Sequence, residues 1–85
     1  MEQKLRICDV DPLIQWYEVV CNGRTIGKKV NGVYERPAQR ANFTEIPWNE
    51  RKYKGKPPWF SREIEKIGIC GGTICIWVKE ARENG

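Results

Sequence analysis

The 85-residue chain contains no histidine. That removes the commonest general base at neutral pH and the usual partner of a nucleophilic Ser or Cys. It also lacks any apolar run near the roughly 20 residues that a membrane-spanning helix needs. No Walker-type Gly-Lys-Ser/Thr run occurs, and no dinucleotide-type glycine motif. The first residues, Met1-Glu2-Gln3-Lys4, are polar and lead straight into Leu5-Arg6-Ile7 without the apolar core of a signal peptide. The expectation is a cytoplasmic protein that is not an enzyme and needs no cofactor.

Two places still resemble chemistry. In Cys70-Gly71-Gly72 the amides of a glycine turn could cradle an anion beside a thiolate. A phosphatase-type loop needs an Arg six positions after its Cys, and here Ile76 and Ala81 stand six positions after Cys70 and Cys75. The plainer reading is a hairpin turn flanked by buried thiols. Glu63 and Glu65 are two apart near the start of an expected helix, so they point to different faces and read as surface charges rather than an acid/base pair.

Cysteines number four: Cys8, Cys21, Cys70 and Cys75. An even count in a short chain is compatible with two disulfides, and such bridges do occur in the cytoplasm of hyperthermophiles. Buried free thiols are the favoured reading, because no signal peptide is evident and Cys is among the most buried residue types. Zinc fits least: its Cys ligands usually come in pairs two to four residues apart, the pairs here are wider, and no His can substitute. No metal ligand is therefore assigned. The sequon Asn42-Phe43-Thr44 reads as accidental in a protein that is not secreted.

What is present is β-forming and basic. Apolar residues make up 40% of the chain and charged residues 31%, with four Trp, three Tyr and two Phe. This suits one modest core, and hence one domain over residues 1–85. Lys4–Val10 reads as a first strand, closed by the turn at Asp11-Pro12. Ile14–Cys21 is the strongest strand. Its Ile14, Trp16 and Val20 share one face and Tyr17, Val19 and Cys21 the other, which suggests a central strand covered on two sides or one wall of a small barrel. Asn22-Gly23 and Asn31-Gly32 are hairpin turns, so residues 14–36 form a three-stranded meander. Within it, Lys28 shares a face with Ile26 and Val30, the apparent buried side, so an edge position or a bulge must let it reach water.

Pro37–Ala41 could open a short helix, with Pro at its first position. Residues 42–59 follow as a long loop punctuated by Pro47, Gly55, Pro57 and Pro58. Ser61 reads as the N-cap of a helix over Arg62–Ile67, with Phe60, Ile64 and Ile67 on one face. Ile69–Lys79 reads as strand, broken or turned at Gly71-Gly72, with Ile74, Ile76 and Val78 on one face. Residues 80–85 form a polar tail. The fold class is mainly β with one or two short helices: a small antiparallel sheet or an SH3-like or OB-like, partly open barrel.

Charge is distributed unevenly. Between Asn22 and Arg62 lie ten cations and three carboxylates; the rest of the chain holds five and eight. Rings interleave with these cations. Lys and Arg neutralise phosphates and exposed rings stack on bases, so the pattern points to nucleic acid, DNA or RNA. Arg24, Lys28, Lys29, Arg36 and Arg40 would follow the backbone from the meander. Arg51, Lys52, Tyr53, Lys54 and Lys56 would reach from the loop, with Trp48 and Trp59 as stacking rings. The competing reading makes Trp48, Trp59 and Phe60 anchors of the loop on the core and the lysines a solvated face.

A second functional class fits the same residues. A small regulator or inhibitor, of the kind carried by phage or other mobile elements, would use them for protein–protein interaction. Its partner would be an acidic or nucleic-acid-binding protein whose surface it occludes. A homodimer through an exposed edge strand is a further expectation.

Overall fold

Three two-residue turns organise the sheet. Asn22-Gly23 has φ of 54° and 75°, Asn31-Gly32 has 52° and 87°, and Gly71-Gly72 has 57° and 84°. Positive φ at both central residues is the backbone of the type I′ turn, whose twist matches that of paired strands. The first two turns join β1 (Tyr17–Cys21), β2 (Arg24–Val30) and β3 (Val33–Glu35) into the expected meander. The third joins β4 (Ile64–Cys70) to β5 (Thr73–Val78). The computed structural model describes residues 4–40 and 42–80. Most of the polar tail, and Ala41 at the end of the expected helix over 37–41, lie outside them.

The protein is mainly β. Its five strands form one open sheet in the order β3-β2-β1-β5-β4. Neighbours are antiparallel except β1 and β5, which run parallel with Tyr17 beside Ile74 and Val20 beside Trp77. The sheet is therefore mixed and does not close into a barrel. No described helix is long and apolar enough to cross a membrane.

Three expected elements differ in the structure. Lys4–Val10 is not a strand. Arg6 makes one bridge to Glu63, and the chain then turns into α1 (Ile7–Val10), where the Asp9 carboxylate accepts the Arg6 amide at 2.8 Å. A 3-10 turn at Asp11–Leu13 follows, with Pro12 supplying the fixed φ that such a turn needs. The expected helix over Arg62–Ile67 is largely β4. Phe60, Ile64 and Ile67 do fall at helical spacing, but β-branched Ile64, Ile67 and Ile69 pair with Val78, Ile76 and Ile74 across the Gly71-Gly72 turn, and cross-strand packing outweighs a single weak cap. Pro37–Arg40 is not helical either; Gln39 bridges Glu45 instead.

The core lies on one face only. Tyr17, Val19, Ile76 and Val78 point into it, and Ile7 of α1 and Trp59 of the long connection cover them. Trp16, expected to be buried, is exposed. The reverse face carries Glu18, Val20, Cys75 and Trp77, paired across β1 and β5. β1 is thus covered on one side, and its strand begins only at Tyr17.

The faces of β2 are also re-phased. Val19 pairs with Gly27 but Val20 pairs with Thr25, so Ile26 is an extra residue in a β-bulge. Beyond the bulge Gly27 and Lys29 face the core, and Lys28 faces outward between Glu18 and Glu35 in the register. Gly27 is required there by contact: a Cβ at this position would stand 2.1 Å from Nε1 of Trp59.

Candidate nucleic-acid interface

The long connection between β3 and β4 is held closely to the sheet. Residues 51–53 run beside β3: Glu35 bridges Lys52, the Tyr53 amide donates to the Tyr34 carbonyl at 3.0 Å, and the Arg36 amide donates to Arg51. Residues 38–40 and 42–46 run back along one another. The Ile46 amide donates to Ala38 at 2.9 Å, and the Arg40 amide to Thr44 at 2.8 Å. Buried Ile46 and Pro57 anchor the segment, as does Trp59, which is 2% exposed. Trp59 meets Tyr17, Tyr34 and Tyr53 edge to face, with centroids 6.1–6.5 Å apart. Its indole N–H has no acceptor among the described residues.

Against this frame most of the sequence-predicted residues take one of three roles, and Arg36 takes two. The first is internal. Lys29 is 5% exposed, and its ammonium lies 3.1 Å from Oδ1 of Asp11. It also donates to the carbonyls of Asp11 at 2.9 Å and Ile14 at 3.0 Å, so its hydrogen-bonding capacity is used. Tyr17 and Tyr34 donate their hydroxyls to the same carboxylate at 2.7 and 2.8 Å. Burial pushes the Asp11 carboxyl up, but the bonds from Tyr17, Tyr34 and Lys29 and the charge of Lys29 outweigh it and hold the group below its ordinary value. Burial and the Asp11 carboxylate raise both phenols, Tyr34 to about 12. Lys29 and Trp59 therefore face the core, where no phosphate or base reaches them.

The second group organises the loop. The Arg36 guanidinium donates to the carbonyls of Glu50 at 2.7 Å and Lys52 at 3.4 Å, and lies 4.2 Å from the centre of the Tyr53 ring. Arg51 donates to the Ile46 carbonyl at 2.9 Å and covers the Trp48 ring at 5.1 Å. Lys56 lies 4.8 Å from the centre of the Phe60 ring. These cations stiffen the segment while adding their charge to its surface.

The third group lines open space. Arg36, Arg40, Lys52 and Lys54 surround a cleft of about 560 Å³ whose one acidic lining residue among the described residues is Glu50. Glu50 lies 3.9 Å from Arg40, and both side chains are at least half exposed, so the pair is weak. Arg40 also lines an adjoining cleft of about 370 Å³ with Arg24 and Phe43. Lys28 is not part of either lining.

No protein-family model, curated protein or solved structure matches the chain. The chemistry of the surface has to come from its own residues.

One ring escaped the sequence reading. Phe43 has φ of +66° and is 81% exposed, in the lining of the second cleft. Its one signal in sequence is isolation, an aromatic between Asn42 and Thr44. Trp48 is 68% exposed and opens a 3-10 turn (Trp48–Glu50) whose next two residues line the first cleft.

Elsewhere the candidates are weaker. A cleft of about 490 Å³ at the start of β4 holds Lys4, Arg6, Arg62 and Lys79, but also Glu63 and Glu80. Glu63 sits 3.8 Å from both Lys4 and Lys79. Arg6 is engaged with the Ser61 carbonyl at 2.9 Å and Arg62 with the Cys21 sulfur at 3.4 Å. All four cysteines are free thiols, but only Cys21 and Cys75 are buried; Cys70, expected to be a buried thiol beside the glycine turn, is exposed. Cys70 and Cys75 share the reverse face near the Gly71-Gly72 turn, and burial, with the neighbouring Cys70 sulfur, pushes the Cys75 thiol up, which disfavours the thiolate. Among the described residues no three His, Cys, Asp or Glu side chains are grouped to hold a metal ion.

Proposed function

We propose that this protein binds nucleic acid through the cleft beside β3. The observation that carries the reading is the convergence of Arg36, Arg40, Lys52 and Lys54 on one cleft with a single, weakly paired carboxylate among the described residues. Cations separated by up to 18 positions in sequence come together there, and self-repulsion in such a cluster is relieved by a polyanion. Arg24 extends the charge past Arg40 into the adjoining cleft. Backbone phosphates are the groups this surface suits, since Lys and Arg dominate its lining.

The test is a fluorescence-anisotropy titration of the full chain against labelled DNA and RNA oligonucleotides at about 50 and 200 mM salt. Binding should weaken as salt rises, with a log–log slope of about −0.7 to −0.9 for each phosphate neutralised. Reversing Lys52 and Lys54 to Glu should lower affinity at least tenfold and flatten that slope. Absence of binding at the lower salt concentration removes the reading.

A further inference from the structure

Resting on that reading, we infer that the ligand is single-stranded, with bases stacking on Phe43 and Trp48 at the margins of the two clefts. A duplex offers a protein its phosphates and groove edges and keeps the faces of its bases stacked on one another. A single strand offers phosphates and base faces together, and its recognition combines a cationic track with aromatic platforms. The surface here has both parts.

The two rings are unusual in their setting. Of the nine aromatic residues, Phe43 and Trp48 are the most exposed, and both come from the connection that carries the cations. Neither packs in the core, where Trp59, Tyr17 and Tyr34 do the anchoring. Each is placed by backbone hydrogen bonds rather than by its own burial. The Phe43 amide donates to the Arg40 carbonyl at 2.9 Å and the Asn42 side chain accepts the Thr44 amide at 3.0 Å, which fixes the turn at Phe43. The Glu50 amide donates to the Pro47 carbonyl at 2.8 Å, which fixes the turn that starts at Trp48. A ring on a hydrogen-bonded turn loses less entropy on stacking than one on an unconstrained loop.

Arg51 gives Trp48 a polarity. Its guanidinium covers one side of the indole at 5.1 Å, so a base would stack on the other side and complete a layered arrangement of cation, indole and base. Phe43 shares its cleft with Arg24 and Arg40, which would hold the phosphates flanking a base stacked there. Arg40 lines both clefts, so a single strand passing it could use the two rings in succession. The basic cleft at the start of β4 has no aromatic residue in its lining among the described residues and provides an internal control.

The experiment compares a ten-nucleotide single strand, a duplex of the same length, and heparin as a polyanion without bases, at one salt concentration. The single strand should bind at least tenfold tighter than the duplex. Phe43→Ala and Trp48→Ala should each weaken the single strand about tenfold, the scale of one lost stacking contact. Both should leave heparin binding within twofold and the circular dichroism spectrum unchanged. Lys79→Glu, in the control cleft, should leave the single strand within twofold. Equal or tighter duplex binding overturns the single-strand assignment while leaving the nucleic-acid reading intact. So does a parallel loss of heparin binding in the ring variants. If all nucleic acids fail to bind at low salt, both fall together; capture of an acidic protein through Phe43 and Trp48 under those conditions would assign the surface to protein recognition instead.

Discussion

The two edges of the sheet are treated in opposite ways. Beside β3 the chain lays down residues 51–53, satisfies the edge with main-chain hydrogen bonds, and builds the basic clefts on the covering segment. Beside β4 the covering stops early. Leu5 accepts the Ile64 amide at 2.8 Å, and beyond it no described residue pairs with the outer edge from Glu65 to Cys70. Ile67 and Ile69 point to the core side of the sheet by register, yet Ile69 is 75% exposed because α1 and Trp59 do not extend over it. Burial in this protein therefore follows the path of the covering segments, and an apolar residue on the core face is buried only where one of them passes. Charge obeys the same logic: Lys29 lies under the cover and pairs with Asp11, whereas Lys52 and Lys54 lie on top of it.

Substitutions on the two sides should separate sharply in cost. The largest effect is expected for Asp11→Ala, which strands the Lys29 ammonium and removes the acceptor of two phenols. Breaking one partner of a buried pair costs about 3–5 kcal/mol, to be read as a lower urea midpoint. Gly27→Ala comes next. The added methyl must displace the Trp59 indole, the anchor of the segment beside β3, at about 2–3 kcal/mol for overpacking. It should also weaken binding at the clefts, although Gly27 lines neither.

Acidity should reveal the same lock. Asp11 has a folded pKa below its unfolded value, so its stabilisation is present above about pH 4 and disappears as pH falls through the folded pKa. Tyr34 works in the other direction. Its folded pKa is raised to about 12, so its contribution holds below the ordinary value of 10.0 and is lost as pH rises through 12. Urea midpoints measured from pH 2 to 7 should show an acid-side decline that Asp11→Asn flattens, and ultraviolet titration should find one phenol ionising near 12. The smallest effect is expected for Ile69→Thr on the bare edge, within about 0.5 kcal/mol. A loss there comparable to that of Gly27→Ala would mean that the β4 edge is packed after all, and the contrast between the edges would be void.

Much of the fold could be read locally. Asn22-Gly23, Asn31-Gly32 and Gly71-Gly72 announced tight turns, because glycine and asparagine accept positive φ at little cost. Other elements depended on the strand they pair with rather than on their own residues. Ile64–Cys70 carries both a helical and a strand pattern, and only pairing with Thr73–Val78 chose between them. Lys28 and Lys29 are neighbours of identical chemistry, and the bulge at Ile26 decided which of them turned inward. The cations of the candidate interface were legible as a group, but not their roles: Arg36 and Arg51 make backbone and ring contacts that spacing does not encode, and Phe43 gained its exposure from a turn closed by hydrogen bonds to Arg40 and Asn42.

By itself, the amino-acid sequence determined the three turns, the mainly-β character and the concentration of positive charge in the middle of the chain, since each follows from the conformational or chemical preference of residues close together. Tertiary structure decided the parallel pairing of β1 with β5, the inward turn of Lys29, and the convergence of Arg36, Arg40, Lys52 and Lys54 on one cleft. Those depend on which distant segments share the space above one face of the sheet, and that is settled by packing the whole chain at once.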